Sequence, residues 1–128
     1  MAFTDASAVA YGCVIYIVEM STNKVSYLCS KTRLVNRQSE KRTIPVLELQ
    51  ALVFGAELLM DWVRDLSSQK LEIPVRISAV NLHTDSMVAL HWIECFSVKY
   101  AKTQNLKVFV VNRLNRLTDI TSNFPITF

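Results

Sequence analysis

Glycine and proline are scarce here, with two and three copies in 128 residues. So few breakers exclude a loop-rich scaffold and imply regular secondary structure along most of the chain. Cysteine is scarce as well: Cys13, Cys29 and Cys95 are odd in number, widely spaced and each in apolar company. This excludes a disulfide-stapled domain. With no C-x-x-C pair, and neither His83 nor His91 at ligand spacing to a cysteine, it also excludes a thiolate metal site, so the three read as free, mostly buried thiols of an intracellular protein. Long apolar runs are missing too. The longest uncharged one, Ala8 to Val18, is about half the length a bilayer requires, and no basic leader precedes a cleavable signal. The chain therefore reads as soluble with no membrane partner, and the lack of a leader fits a piece of a longer polypeptide.

Acid is missing from two particular stretches. Between Lys24 and Arg42 stand six basic residues against Glu40 alone, and between Lys99 and Arg116 five basic residues and no acid. Eleven of the fourteen basic residues sit in these two blocks, so a net charge of only +3 hides the electrostatic pattern of a polyanion-binding face. What the chain has in quantity is apolar residues, 51% of the total. That is enough for a core, and with no internal repeat or linker it implies one domain over residues 1–128.

Ala2 to Asp5 reads as the end of a strand, Tyr11 to Glu19 as a second, and Lys24 to Ser30 as a third, joined into an antiparallel meander. Gly12 marks either a bulge or a close backbone approach. Lys31 to Thr43 is a polar, basic connection. It leads into a helix from Ile44 to Leu66, with Pro45 in the first turn, where its missing N–H costs nothing. Ser67 to Pro74 connects to a fourth strand, Val75 to Thr84, centred on Ala79-Val80-Asn81-Leu82. Placed beside the first strand, it completes a β-α-β crossover and makes a mixed sheet. Asp85 or Ser86 caps a short helix, Met87 to Glu94. Leu106 to Thr121 is a last helix with Val110, Leu114 and Leu117 as its apolar line, and Phe124 to Phe128 begins a further strand.

The long helix carries an anomaly. Gln50, Glu57, Asp61, Arg64 and Asp65 gather on one side at about 100° per residue, whereas Glu48 falls with Leu52, Gly55 and Leu59 on the side that enters the core. A carboxylate there is costly unless paired, protonated or bound to a metal. Asp5 and Asp85 end two strands expected to be parallel neighbours, so both lie at the carboxyl-end edge of the sheet, where open α/β folds bind ligands. Glu48 completes the cluster. Three converging carboxylates offer hard oxygen ligands suited to Mg²⁺ or Mn²⁺. The chemistry that uses such a set is phosphodiester hydrolysis with two metal ions about 3.5–4 Å apart. The bland alternative makes Asp5 and Asp85 turn or cap residues and lets Glu48 snorkel. Among the smaller signals, Lys31 and Arg33 suit phosphate contact, and Ser7, across the turn from Asp5, suits a 2′-hydroxyl. His83 reads as a structural histidine, His91 and Trp92 as packing residues, and Glu57, Asp61 and Asp65 as a solvated face.

Five blocks in register carry a resemblance: Phe3-Thr4-Asp5-Ala6-Ser7 with Ala10-Tyr11-Gly12; Ser30-Lys31-Thr32-Arg33; Ile44-Pro45-x-Leu47-Glu48-Leu49-x-Ala51; Thr84-Asp85-Ser86 with Leu90-His91-Trp92; and Val111-Asn112-Arg113. Together they resemble the ribonuclease H domain of Bel/Pao-type retrotransposon polyproteins. The resemblance implies an α/β ribonuclease H-like fold, with an antiparallel meander followed by parallel strands and helices on both faces. It implies metal-dependent hydrolysis of the RNA strand of RNA/DNA hybrids, with Asp5, Glu48 and Asp85 as metal ligands. Asn112 and Arg113 match the family block as helix surface or hybrid contact, and the resemblance implies the reverse transcriptase domain of the same polyprotein as a partner and the cytoplasm or retroelement particles as the location. The family's fourth acid, in an Asn-Pro-Ala-Asp type block, lies beyond Phe128, and Asp119 is the only late acid here. A non-catalytic remnant that keeps the fold and weak nucleic-acid affinity is the alternative. An integrase or transposase core is disfavoured, because there the glutamate follows the second aspartate.

Overall fold

The chain opens with β-branched, aromatic and small residues that suit a pleated surface. In the computed structural model, which describes residues 1–36, 42–68, 72 and 75–128, they form a hairpin. Strand β1 (Ala2–Ala6) pairs antiparallel with β2 (Ala10–Val18), from Ala2↔Ile15 to Ala6↔Tyr11. Asn23, in the left-handed region at φ 54°, turns the chain into β3 (Val25–Leu34), antiparallel to β2. Strand β3 runs four residues beyond its expected end at Ser30, so Lys31 and Arg33 stand in a strand rather than in a connection. The register irregularity of β2 falls between Ile15 and Tyr16. Gly12 marks a close approach instead, since a Cβ there would stand 3.3 Å from the Lys31 carbonyl oxygen. Arg37, Glu40 and Lys41 of the first basic block lie outside the described residues, as does most of the connection from Ser67 to Pro74.

Helix α1 (Ile44–Leu66) has its expected bounds, with Pro45 in the first turn. Leu49, Leu52 and Leu59 are buried on the sheet side, and Gly55 is the point of closest approach. A Cβ at Gly55 would come within 2.6 Å of the Thr4 methyl and 3.0 Å of Leu82 Cδ1, so only glycine lets the helix settle at this depth. Strand β4 (Leu82–His83) lies parallel to β1, with Ala2↔Leu82 and Phe3↔His83, and the sheet order is β3-β2-β1-β4. The mixed α/β sheet expected from the crossover is present. Its fourth strand is much shorter than Val75 to Thr84, pairing with β1 only at Leu82 and His83, and Ala79 is exposed rather than central. Thr127 makes a parallel bridge to Asn81, so the terminal segment does start a strand on the far side of β4.

Ser86, not Asp85, caps α2 (Met87–Cys95), accepting a hydrogen bond from the Ala89 N–H at 3.2 Å. A short helix, α3 (Val98–Thr103), occupies part of the second basic block, and Ser97 caps it by accepting from the Tyr100 N–H. Helix α4 (Val108–Asn123) buries Val110, Leu114, Leu117 and Ile120, extending the expected apolar line by one turn, and packs on α1.

Helix α1 packs directly on the sheet, on the face of Thr4 and Cys13. The opposite face carries a row of rings. Phe3 stacks on His83 with centroids 4.9 Å apart and meets Tyr16 edge-on, and Tyr16 meets Tyr27; Phe3 remains 41% exposed. The three thiols are free, but only Cys13 is buried, and burial pushes its pKa up to about 12. Cys95 is exposed beside His91, which is itself exposed but meets the Tyr100 ring edge-on. No described helix is long and apolar enough to cross a membrane.

Candidate metal centre

Asp5 is the fourth residue of β1, and its neighbour Thr4 anchors the strand on both sides. The Thr4 hydroxyl donates to the His83 carbonyl at 3.2 Å, and its methyl lies against Gly55. Asp85 follows β4 in a turn held by the Ser86 N–H donating to Thr84 Oγ1 at 3.2 Å and by the Ser86 cap of α2. Glu48 reaches the same edge from the second turn of α1. One carboxylate oxygen from each of Asp5, Glu48 and Asp85 lies within 4.8 Å of the other two. The convergence expected at the sheet edge is therefore realised in the geometry.

The three acids are not equivalent. Asp5 and Asp85 are exposed, while Glu48 is 5% exposed. The Ala6 N–H is shared between Asp5 Oδ1 at 2.8 Å and Glu48 Oε1 at 3.3 Å. Glu48 Oε2 is buried and has no hydrogen-bond partner. Burial first, then the charge of Asp85, then that of Asp5, raise the Glu48 pKa, and the Ala6 hydrogen bond only partly opposes them. A buried carboxylate with one orphaned oxygen, clustered with two more carboxylates, is the environment a hard cation satisfies. An all-oxygen donor set with no nitrogen or sulfur fits Mg²⁺ or Mn²⁺. Asp119 is exposed on α4 and is not part of this cluster.

The sequence model of the Pao retrotransposon-like RNaseH-like domain matches residues 1–86. The chain belongs to this family. No curated protein matches it. The matched stretch of this Pao-type domain holds all three acids and ends just past Asp85, so α2, α3 and α4 lie beyond it.

The other residues singled out in the Pao-type domain are more scattered. Ser7 sits in the β1–β2 turn, where its hydroxyl donates to the Ala10 carbonyl and accepts from the Val9 and Ala10 N–H groups. One donor and two lone pairs are thereby used, and a 2′-hydroxyl would have to displace part of the turn. Lys31 and Arg33 lie on the α1 side of β3: Lys31 lines an open groove of about 370 Å³ with Cys29, Leu58 and Trp62, and Arg33 stacks over Phe54 at 4.8 Å. Asn112 is exposed on α4. Arg113 is half-buried and stacks on Phe109 at 4.7 Å. Two residues missing from the sequence reading of the site appear beside it, Phe109 and Arg42, whose guanidinium lies 3.9 Å from the same ring centroid. Arg42 was visible only as the last member of a basic run; nothing local in the sequence marks Phe109.

Proposed function

We propose that this chain is a metal-dependent endonuclease domain that hydrolyses the RNA strand of RNA/DNA hybrids during retrotransposon reverse transcription. The observation that carries this reading is Glu48, buried on the core side of α1 with Oε2 unpartnered and one carboxylate oxygen within 4.8 Å of one each from Asp5 and Asp85. Asp5, Glu48 and Asp85 would hold Mg²⁺ or Mn²⁺, two ions in the full cycle. A bound divalent ion of this kind supplies an activated water and charge stabilisation at the leaving oxygen. The protein's own part is positional. The shared Ala6 N–H fixes Asp5 and Glu48 relative to each other, and the Thr84–Ser86 turn fixes Asp85. Burial keeps one ligand, Glu48, rigid and dry while the two aspartates stay open to a substrate arriving from solvent.

The hybrid is held by its backbone. Lys31 and Arg33 on β3, and Asn112 and Arg113 on α4, supply sequence-independent contacts, and the reverse transcriptase domain of the same polyprotein delivers the hybrid in the cytoplasm or in retroelement particles. Residues 1–128 act as one domain in this reading. The test is incubation of the chain with an end-labelled RNA/DNA hybrid, with and without Mg²⁺ or Mn²⁺, repeated with Asp5→Asn. Metal-dependent cleavage of the RNA strand that Asp5→Asn abolishes is the expected result. No cleavage, or cleavage indifferent to that substitution, overturns it, and no cleavage favours a remnant that keeps the fold and weak nucleic-acid affinity.

A further inference from the structure

The two basic blocks are far apart in sequence, and the fold joins them at one phenylalanine. Arg42, the last residue of the first block, stands immediately before Thr43, which precedes α1; Phe109 and Arg113 are in the first two turns of α4. The Arg42 and Arg113 guanidinium carbons lie 3.9 Å and 4.7 Å from the Phe109 ring centroid. Two like charges are thus held against a single ring. Among the described residues neither has an acidic partner: the ion pairs there are Arg64–Asp61 and Arg116–Glu57. Arg113 Nε is buried and makes no hydrogen bond. Neither α1 nor α4 carries an acid in its first turn.

Stacking on an aromatic face explains how each guanidinium is oriented, but not why two are gathered where they repel. The geometry points to the Arg42–Phe109–Arg113 stack as a binding site for a phosphodiester group of the nucleic-acid backbone. Phe109 holds both guanidiniums against one ring, with no acidic partner for either among the described residues, which orients them for phosphate oxygens, the anion for which arginine is better suited than lysine. Thr43 lies five residues before Glu48, or roughly 8 Å along the helix at 1.5 Å per residue. A phosphate on the stack would therefore lie a few nucleotides from the carboxylates. This assignment rests on the nuclease reading for the choice of nucleic acid as the anion, but not on catalysis.

The test is fluorescence anisotropy of a labelled RNA/DNA hybrid with the full chain in EDTA, titrated over a series of KCl concentrations. For Arg42→Gln and for Arg113→Gln the plot of log affinity against log salt is expected to be about 0.9 less steep than for the parent chain, the loss of one phosphate contact. Arg42→Lys and Phe109→Leu keep both charges, so they are expected to retain the slope and to bind several-fold more weakly. An unchanged slope in glutamine variants that melt like the parent overturns the proposal and makes the stack a structural latch between α1 and α4. Should Arg113→Gln fail to fold, Arg42→Gln decides alone. A chain that binds through Arg42 without ever cleaving overturns the nuclease reading and leaves the phosphate site standing. A chain that cleaves, but whose salt slope ignores Arg42, overturns the phosphate site only.

Discussion

Near the start of α1 the molecule gathers like charges twice. At the sheet edge three carboxylates meet around a buried Glu48; where α4 begins, two guanidiniums meet on Phe109. In both places one polar atom is buried without a partner, Glu48 Oε2 in the first and Arg113 Nε in the second. The two differ in what holds them. The acids are fixed by backbone: the ends of β1 and β4 and a shared amide N–H. The arginines are fixed by an aromatic ring on a neighbouring helix. Repulsion in each is sustained by the apolar packing of α1 against the sheet and α4, and in the reading proposed above each would be relieved by a ligand of opposite charge. Arg116 on α4 gives the contrast, a cation of the same block that already has its acid, Glu57, at 2.9 Å.

The largest effect is expected at the acidic cluster. Asp5→Asn should lower metal-dependent hybrid cleavage about a thousandfold, ~4 kcal/mol of barrier, and should also erase the rise in melting temperature that Mn²⁺ gives the parent chain. Next comes the packing that sustains both charge clusters. Gly55→Val places side-chain carbon where Thr4 Cγ2 stands only 2.6 Å from an ideal Cβ. Urea titration should show a loss of about 3 kcal/mol, together with weaker metal and hybrid binding.

Glu48→Gln isolates the electrostatic cost of the carboxylates. Because the folded pKa is raised above the ordinary 4.5, the folded chain holds this proton more tightly than the unfolded one. The contribution of Glu48 to the stability of the metal-free parent should therefore be fully present below that ordinary value and be lost as pH rises through the folded pKa. The glutamine variant should lack this contribution to the slope and be more stable than the parent at neutral pH in EDTA by about 1 kcal/mol, while binding Mn²⁺ more weakly. Thermal melts across pH check the sign. The smallest effect is expected of Arg116→Ala, which removes a partly exposed ion pair worth about 0.5 kcal/mol. If it alters the salt dependence of hybrid binding as much as Arg42→Gln, the contrast between paired and unpaired arginines fails.

Most of the acidic site was legible in advance, for a definite reason. Asp5, Glu48 and Asp85 are misplaced locally, an acid in a strand, an acid on the core side of a helix and an acid ending a strand, and crossover handedness leaves few ways to arrange those elements. The cationic stack was not legible, because a basic run before α1 and an arginine on α4 look like solvated surface until a ring is known to lie between them. Ser7 illustrates the opposite case: its position next to Asp5 was visible, but the use of its hydroxyl inside the turn depends on backbone geometry.

By itself the sequence determined the bounds of α1, the side on which Glu48 lies, the antiparallel meander and the apolar line of α4, all of which follow from periodicities of 3.6 and 2 residues and from local capping chemistry. Tertiary structure alone decided that β4 would be two residues long, that α3 would form in the second basic block, and that one face of the sheet would keep its row of rings exposed. It also decided that residues 42, 109 and 113 would meet. Those outcomes depend on which neighbour each segment finds, and contacts between distant segments leave no period in the chain.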